Sequence, residues 1–239
     1  MRINKRVLIT GTSSGIGYGI AKSLCESACS VIGISRKDSN LQDQFANYQH
    51  YNIDLTNYKS LSLDFKAEFQ QNSTFDLVIL NAGILGDITP FPKQTVDLAK
   101  HVMDINVWAN KALIDLFIEY KVEVKQWVAI SSGAAKNGSA GWGSYSVSKA
   151  ALNMLIQTYA AENKHAHFSA LAPGLVDTQM QDYISSLPNN KDFPTIERLK
   201  QAKGTPNMPN EIDAAPLLLS AMEKALDYES GVFLDIRTM

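Results

Sequence analysis

The sequence predicts an α/β fold: a doubly wound, mainly parallel sheet with helices on both faces. Two observations predict it. Short apolar runs alternate with helix-period segments from one end of the chain to the other, which is the order that βαβ units require. The run Asp76 to Leu80 is almost continuously apolar, as expected of a strand covered on both faces. With 239 residues and a 45% hydrophobic fraction, a single domain spanning residues 1–239 is expected, and it is long enough to bury a sizeable core.

The elements follow in order. Arg6 to Thr10 reads as a strand. Gly15 to Ser27 reads as a helix with Ile16, Ile20 and Leu24 on its apolar stripe. Ser30 to Ser35 and Tyr51 to Ile53 are the second and third strands. Tyr58 to Gln70 has helical spacing, with Leu61, Phe65 and Phe69 on one face. After the fourth strand at Asp76 to Leu80 comes a long helix, Thr95 to Tyr120. Lys125 to Ser131 is the fifth strand, Gly143 to Asn163 a long helix, and His167 to Leu171 the sixth strand. Asn210 to Ala225 reads as a helix and Gly231 to Ile236 as the last strand. One stretch breaks the pattern. Residues 179–209 are polar and carry Pro188, Pro194, Pro206 and Pro209, so they read as a long loop, either a substrate loop or a surface loop.

Composition excludes several functions. A net charge of −2 and a pI near 6.1 leave no basic footprint for nucleic acid. The apolar runs are far shorter than the roughly 20 residues that cross a bilayer. The N-terminus carries no signal-peptide pattern, and a cytoplasmic location is expected. Cys25 and Cys29 have no companion Cys or His pair at metal spacing, so no metal site is expected and two small packed thiols are. His50, His101, His165 and His167 share no ligand spacing.

The first strand passes into the first helix through Thr10-Gly11-Thr12-Ser13-Ser14-Gly15-Ile16-Gly17. Gly11 can turn the chain, Gly15 lets the backbone approach a ligand, and Gly17 lets the helix sit close to the sheet. The helix N-terminus then offers free N–H groups to a pyrophosphate. This is the chemistry of a Rossmann-type dinucleotide site, although the glycine spacing differs from the G-x-G-x-x-G fingerprint.

Further motifs stand at the ends of later strands. Asn81-Ala82-Gly83 follows the fourth strand, Asn106 lies in the long helix after it, and Ser132 follows the fifth strand. Tyr145 comes thirteen residues after Ser132, with Lys149 four further on; Pro173-Gly174, Val176 and Thr178 follow the sixth strand. Together with the T-G-x-x-x-G-I-G turn, these motifs resemble the short-chain dehydrogenase/reductase family over residues 7–178. The resemblance implies a seven-stranded sheet in the order 3-2-1-4-5-6-7 and a homodimer or homotetramer. It implies cofactor contacts from Gly11, Ser13, Ser14, Gly15, Ile16, Gly17, Asn81, Ala82, Gly83, Tyr145, Lys149, Pro173, Gly174, Val176 and Thr178. Asp54-Leu55 resembles the family's adenine-contacting pair. Asn106 would hold a water that connects Lys149 to bulk solvent.

The chemistry of the residues agrees. Tyr145 and Lys149, four apart on a helix, share a face. A free tyrosine has a pKa near 10, and a nearby ammonium would bring it toward the working pH of a general acid. Ser132 can donate to a carbonyl oxygen on which charge develops. Ser131 is the neighbouring candidate, and the family spacing to Tyr145 selects Ser132; no Gly-x-Ser-x-Gly elbow marks a nucleophile. The second strand ends Ser35-Arg36-Lys37. An NAD site usually has an acid at the place of Ser35, whereas Arg36 and Ser35 suit a 2′-phosphate. These features are similar to the sepiapterin reductase and benzil reductase branch. They predict NADPH-dependent reduction of a small carbonyl compound (ketone, diketone or aldehyde) to an alcohol. A 3-oxoacyl-thioester reductase and a catalytically silent NADP-binding module remain as alternatives. Leu85, the residues after Gly133, Trp142 and residues 179–209 are expected around the substrate.

Overall fold

A computed structural model describes residues 5–58, 61, 65, 68, 74–189 and 191–239. Seven strands form one sheet: β1 Arg6–Thr10, β2 Ser30–Ser35, β3 Tyr48–Asn52, β4 Thr74–Leu80, β5 Glu123–Ile130, β6 His167–Ala172 and β7 Phe233–Asp235. Their order is β3-β2-β1-β4-β5-β6-β7, and every pairing is parallel. The helices are α1 Gly15–Glu26, α2 Leu41–Gln44, α3 Val96–Met103, α4 Ala109–Glu119, α5 Gly143–Glu162, α6 Gln179–Ser186, α7 Pro194–Ala202 and α8 Glu211–Lys224. Residues 58, 61, 65 and 68 are also helical, and Leu61 and Phe65 are buried as the spacing predicts. Phe69 lies outside the described residues. None of the described helices is long and apolar enough to cross a membrane.

The period-2 geometry of a strand explains why its sequence is apolar throughout. On β1, Val7 and Ile9 face the cluster packed by Ile20 and Leu24 of α1 and Leu218 and Met222 of α8. Leu8 faces the opposite cluster, built from Leu113 and Phe117 of α4 and Leu152 and Ile156 of α5. Both faces are dry, so alternation disappears from the sequence. On the α4–α5 face, Trp127 of β5 stacks on Phe168 of β6 with centroids 6.0 Å apart and an interplanar angle of 2°.

Three expectations need correction. The third strand runs Tyr48–Asn52, three residues earlier than expected at its start. It is an edge strand, and its half-polar sequence hides it. The long helix after β4 is interrupted by a π-turn, Asp104–Trp108, between α3 and α4. Residues 179–209 are mainly helical, as α6 and α7. Their prolines bracket the helices: Pro194 occupies the first turn of α7, where no N–H is needed. Ile184, Ile196 and Leu199 pack with Trp142, Leu85, Ile88 and Met208 in a small third core. Cys25 and Cys29 are buried free thiols, and Cys29 lies just past the end of α1.

On the α1–α8 face the two helices approach closely at Gly19. A Cβ there would stand 2.0 Å from the Glu211 carbonyl oxygen. Helix propensity alone favours Gly→Ala by about 1 kcal/mol. The clash is with backbone at the start of α8 and outweighs that gain, so Gly19→Ala should lower stability by about 1–3 kcal/mol in denaturant unfolding. A more stable variant would show that the two helices can separate freely.

Candidate active site

The carboxyl ends of β1, β2, β4, β5 and β6 open on one cleft of about 1010 Å³. That edge, where the strand order reverses between β1 and β4, is where open α/β sheets bind ligands. At one end is the glycine turn. Gly11 has φ +77° and Gly15 φ +60°, both in the left-handed region. A Cβ on Gly17 would lie 2.2 Å from the Gly11 carbonyl oxygen, so Gly17 sets the packing of the turn and does not line the cleft. Ser14, at the N-cap of α1, makes no side-chain cap, and no acid occupies the first turn. The first N–H groups of α1 therefore retain their capacity for an anion. Asn81 ties β4 to this turn, its amide donating to the carbonyls of Thr10 at 2.9 Å and Gly11 at 3.2 Å.

Ser13, Ser14, Ile16, Ala82, Gly83, Pro173, Gly174, Val176 and Thr178 line the cleft with Gly11, Gly15 and Asn81. Asp54 and Leu55 line the end beyond β3. There the Asp54 carboxylate accepts from the N–H of Thr56 at 3.0 Å and from its hydroxyl at 2.7 Å, which holds its pKa below the usual range. Arg36 and Lys37 are exposed at the mouth. Ser35 also borders it, but its hydroxyl donates to the Lys37 carbonyl at 2.7 Å and is 8% exposed. It shapes the turn and is not free to donate to a ligand.

At the other end the cleft is bordered by Ser132, Tyr145 and Lys149. Ser132 leaves β5 in extended backbone and its Oγ accepts from the Ala134 N–H at 3.1 Å. Ser131 donates instead to Asn153 Oδ1 at 2.6 Å and is buried, which separates the two serines by orientation. Lys149 is 5% exposed and donates to the Ile130 carbonyl at 2.7 Å, while its ammonium lies 5.8 Å from the Tyr145 ring centroid. Burial lowers its pKa to about 8. The Tyr145 pKa is raised, again by burial, with a hydrogen bond to Ser132 opposing. This differs from the expected lowering. The loss of phenolate solvation outweighs the other influences, and the ammonium is turned toward Ile130. Tyr145 consequently keeps its proton at neutral pH.

Asn106 is fully buried in the π-turn and does not line the cleft. Its amide donates to the Ile84 carbonyl and the Ser148 hydroxyl, each at 2.9 Å, and its Oδ1 accepts from the Ile84 N–H at 2.8 Å. It thus clamps the loop that follows β4 against α5. Leu85 belongs to the third core, not to the cleft wall. Trp142 does both: it is buried in that core, borders the cleft and meets Tyr145 edge-on at 6.1 Å. From residues 179–209, Met180, Thr195, Arg198 and Leu199 border the cleft, and Arg237 beyond β7 joins them.

Sequence reading missed Gln94. Its amide reaches the carbonyls of Asp87 at 3.0 Å, Thr89 at 3.2 Å and Gly141 at 3.2 Å. Its Oε1 accepts from the N–H of Ser144, at 3.0 Å, and from the Ser144 hydroxyl. One loop side chain thereby anchors the first turn of α5, which carries Tyr145. A lone glutamine in a polar loop has no pattern that could reveal this.

The profile of the family described as short chain dehydrogenase matches residues 5–188. The chain belongs to the short chain dehydrogenase family. It is an oxidoreductase, and its family binds a nicotinamide cofactor and acts on small molecules. It is similar to a benzil reductase ((S)-benzoin forming) of Bacillus cereus, 34% identical over 209 residues that cover 80% of this chain and 83% of that one. It is also similar to one of Bacillus subtilis (strain 168), 31% identical over 242 residues, covering 96% and 97%. A short chain dehydrogenase/reductase of Saccharomyces cerevisiae has the same fold, with a TM-score of 0.86 at 24% identity over 98% of this chain and 96% of that one.

Gln94→Ala should cost about 1–3 kcal/mol of stability, because it leaves several polar groups without partners. Turnover should fall with it. Unchanged thermal unfolding together with unchanged kcat would contradict the anchoring role.

Proposed function

We propose that this short chain dehydrogenase reduces a small carbonyl compound to an alcohol with NADPH, and that vicinal diketones of the benzil type are among its substrates. The observation that carries the reading is the convergence of Ser132, Tyr145 and Lys149 at one end of a cleft whose other end presents Arg36. The glycine cradle, the uncapped N-terminus of α1 and the volume of the cleft fit a dinucleotide.

When bound, the nicotinamide supplies the hydride. Tyr145 donates its proton to the carbonyl oxygen, and its raised pKa keeps that proton available. Ser132 donates a hydrogen bond to the same oxygen as negative charge develops there. Lys149 stabilises the phenolate left on Tyr145 through its nearby positive charge. Asn106 and Gln94 hold α5 so that these groups stay in register. Trp142 and the α6–α7 lid give the substrate end apolar walls, which suit aromatic or alkyl groups beside the carbonyl.

NADPH preference follows from charge. Arg36 and Lys37 border the mouth near the end of β2, and no carboxylate stands at position 35. A guanidinium binds a 2′-phosphate with paired hydrogen bonds that NADH cannot make. The similarity to benzil reductases supports the diketone assignment.

The test combines cofactor titration by fluorescence with NADPH consumption over benzil, aliphatic diketones and acetoacetyl thioesters. Wild type should bind NADPH at least about tenfold more tightly than NADH, and Arg36→Ala should remove most of that difference. Tyr145→Phe should abolish turnover while leaving NADPH affinity nearly intact. Turnover in Tyr145→Phe near the wild-type rate would sink the assignment, as would equal affinity of wild type for both cofactors.

A further inference from the structure

A chain of side chains runs behind the Arg36–Lys37 turn: Thr12 in the glycine turn, Tyr48 and His50 on β3, and Ser35 at the end of β2. The Tyr48 hydroxyl lies 2.8 Å from Thr12 Oγ1 and 2.9 Å from His50 Nδ1. His50 Nε2 lies 3.1 Å from the Lys37 carbonyl and 3.2 Å from the Ser35 hydroxyl. The two β3 rings stack, with centroids 5.9 Å apart. Gly33 makes the room: a Cβ there would stand 1.9 Å from the Tyr48 hydroxyl and 2.5 Å from Thr12 Oγ1. Gly33 pairs with His50 in the β2–β3 register.

A carbonyl can only accept, so Nε2 carries a hydrogen. In neutral His50, Nδ1 then accepts from Tyr48, and Tyr48 accepts from Thr12. In protonated His50, Nδ1 donates to Tyr48, and Tyr48 turns its own hydrogen to Thr12. The two hydroxyls reverse and no contact is lost, so the chain accommodates either charge state in one geometry. The groups facing it are Arg36, Lys37 and Asp38 on the turn, Asp54 past the end of β3 beside Arg36, and Cys25 on α1 beside Tyr48. Asp38 also accepts from the Asn52 amide at 2.5 Å. Burial lowers the His50 pKa below the ordinary histidine value, against the Lys37 carbonyl and Asp38, which leaves it neutral at pH 7.

We propose that His50 is a specificity-determining residue for the cofactor. Its imidazole fixes the Ser35–Lys37 turn and, on taking up a proton, adds a third positive charge behind the site of the 2′-phosphate. The inference rests on the NADPH reading above. Proton uptake by His50 and binding of a 2′-phosphate then reinforce each other, as linked binding requires. NADH, which lacks that phosphate, gains nothing. The His50 contribution to the preference for NADPH over NADH therefore rises as pH falls. The phosphate itself titrates near pH 6 and works in the opposite direction, so wild type must be compared with His50→Gln.

The ratio of NADPH to NADH affinity is measured for both proteins between about pH 8 and about pH 5.5, the range in which histidine changes charge. Relative to His50→Gln, the wild-type preference should grow about fivefold across that range. A second measurement needs no variant: the His50 ring titration in wild type, followed by NMR. Its midpoint should rise on saturation with adenosine 2′,5′-bisphosphate and stay put with 5′-AMP. Parallel pH profiles in the two proteins, or a midpoint indifferent to the bisphosphate, would overturn the role of His50 and leave NADPH preference standing. Equal NADPH and NADH affinities at every pH would overturn both.

Discussion

An ammonium inside a protein costs several kcal/mol unless other groups replace its water. Lys149 meets that cost with the Ile130 carbonyl, the last residue of β5, at 2.7 Å. The bond joins the central helix α5 to the carboxyl edge of the sheet at the point where the cleft opens. Gly83 completes the pocket, since a side chain there would come within 3.5 Å of the Lys149 nitrogen. Much of the site can be understood as what is needed to keep this charge buried, close to Tyr145 and still reachable from the cleft. Asn106 holds the loop after β4 to α5 from one side, and Gln94 pins the first turn of α5 from another.

The parallel sheet makes that arrangement possible. Because all seven strands point the same way, their carboxyl ends converge on one edge. The glycine turn, Asn81, Ser132 and Pro173 all leave the sheet there, although more than 160 residues separate the first from the last. The two ends of the cleft then differ in chemistry. Near β2 and β3 it carries Arg36 and Lys37, with the hydrogen-bonded chain from Thr12 to His50 behind their turn. Past β5 and β6 it carries Ser132, Tyr145 and the apolar lid. That lid has its own small core around Trp142 and Phe193, distinct from the two clusters that flank the sheet.

The buried strands and the glycine turn were legible because their causes are local: dry faces demand apolar runs, and positive φ at Gly11 and Gly15 demands glycine. Ser132, Tyr145 and Lys149 were legible through spacing, and they do border one cleft. The edge strand β3 was misplaced because Tyr48 and His50 point polar atoms at Thr12 and Ser35, which breaks the apolar pattern. The α6–α7 segment reads as a loop in the sequence because its prolines mark helix boundaries and its apolar positions, such as Ile184, Ile196 and Leu199, are widely spaced among polar residues. The Tyr145 shift was opposite in direction to the expectation. Four-residue spacing reports proximity to Lys149, but not the desolvation that burial of the ring brings. The commitment of the Ser35 hydroxyl to its own loop could not be read from sequence at all.

In the proposed mechanism a protonated Tyr145 gives up its proton and the buried Lys149 ammonium stabilises the phenolate left behind. The pH profile of kcat/KM for carbonyl reduction tests it most directly. The Lys149 pKa of about 8 places the loss of that charge within easy reach. Reduction should be level through neutral pH and should decline above about 8 as the ammonium deprotonates. A profile that stays level to about pH 10, the ordinary range of an unassisted tyrosine, would contradict it.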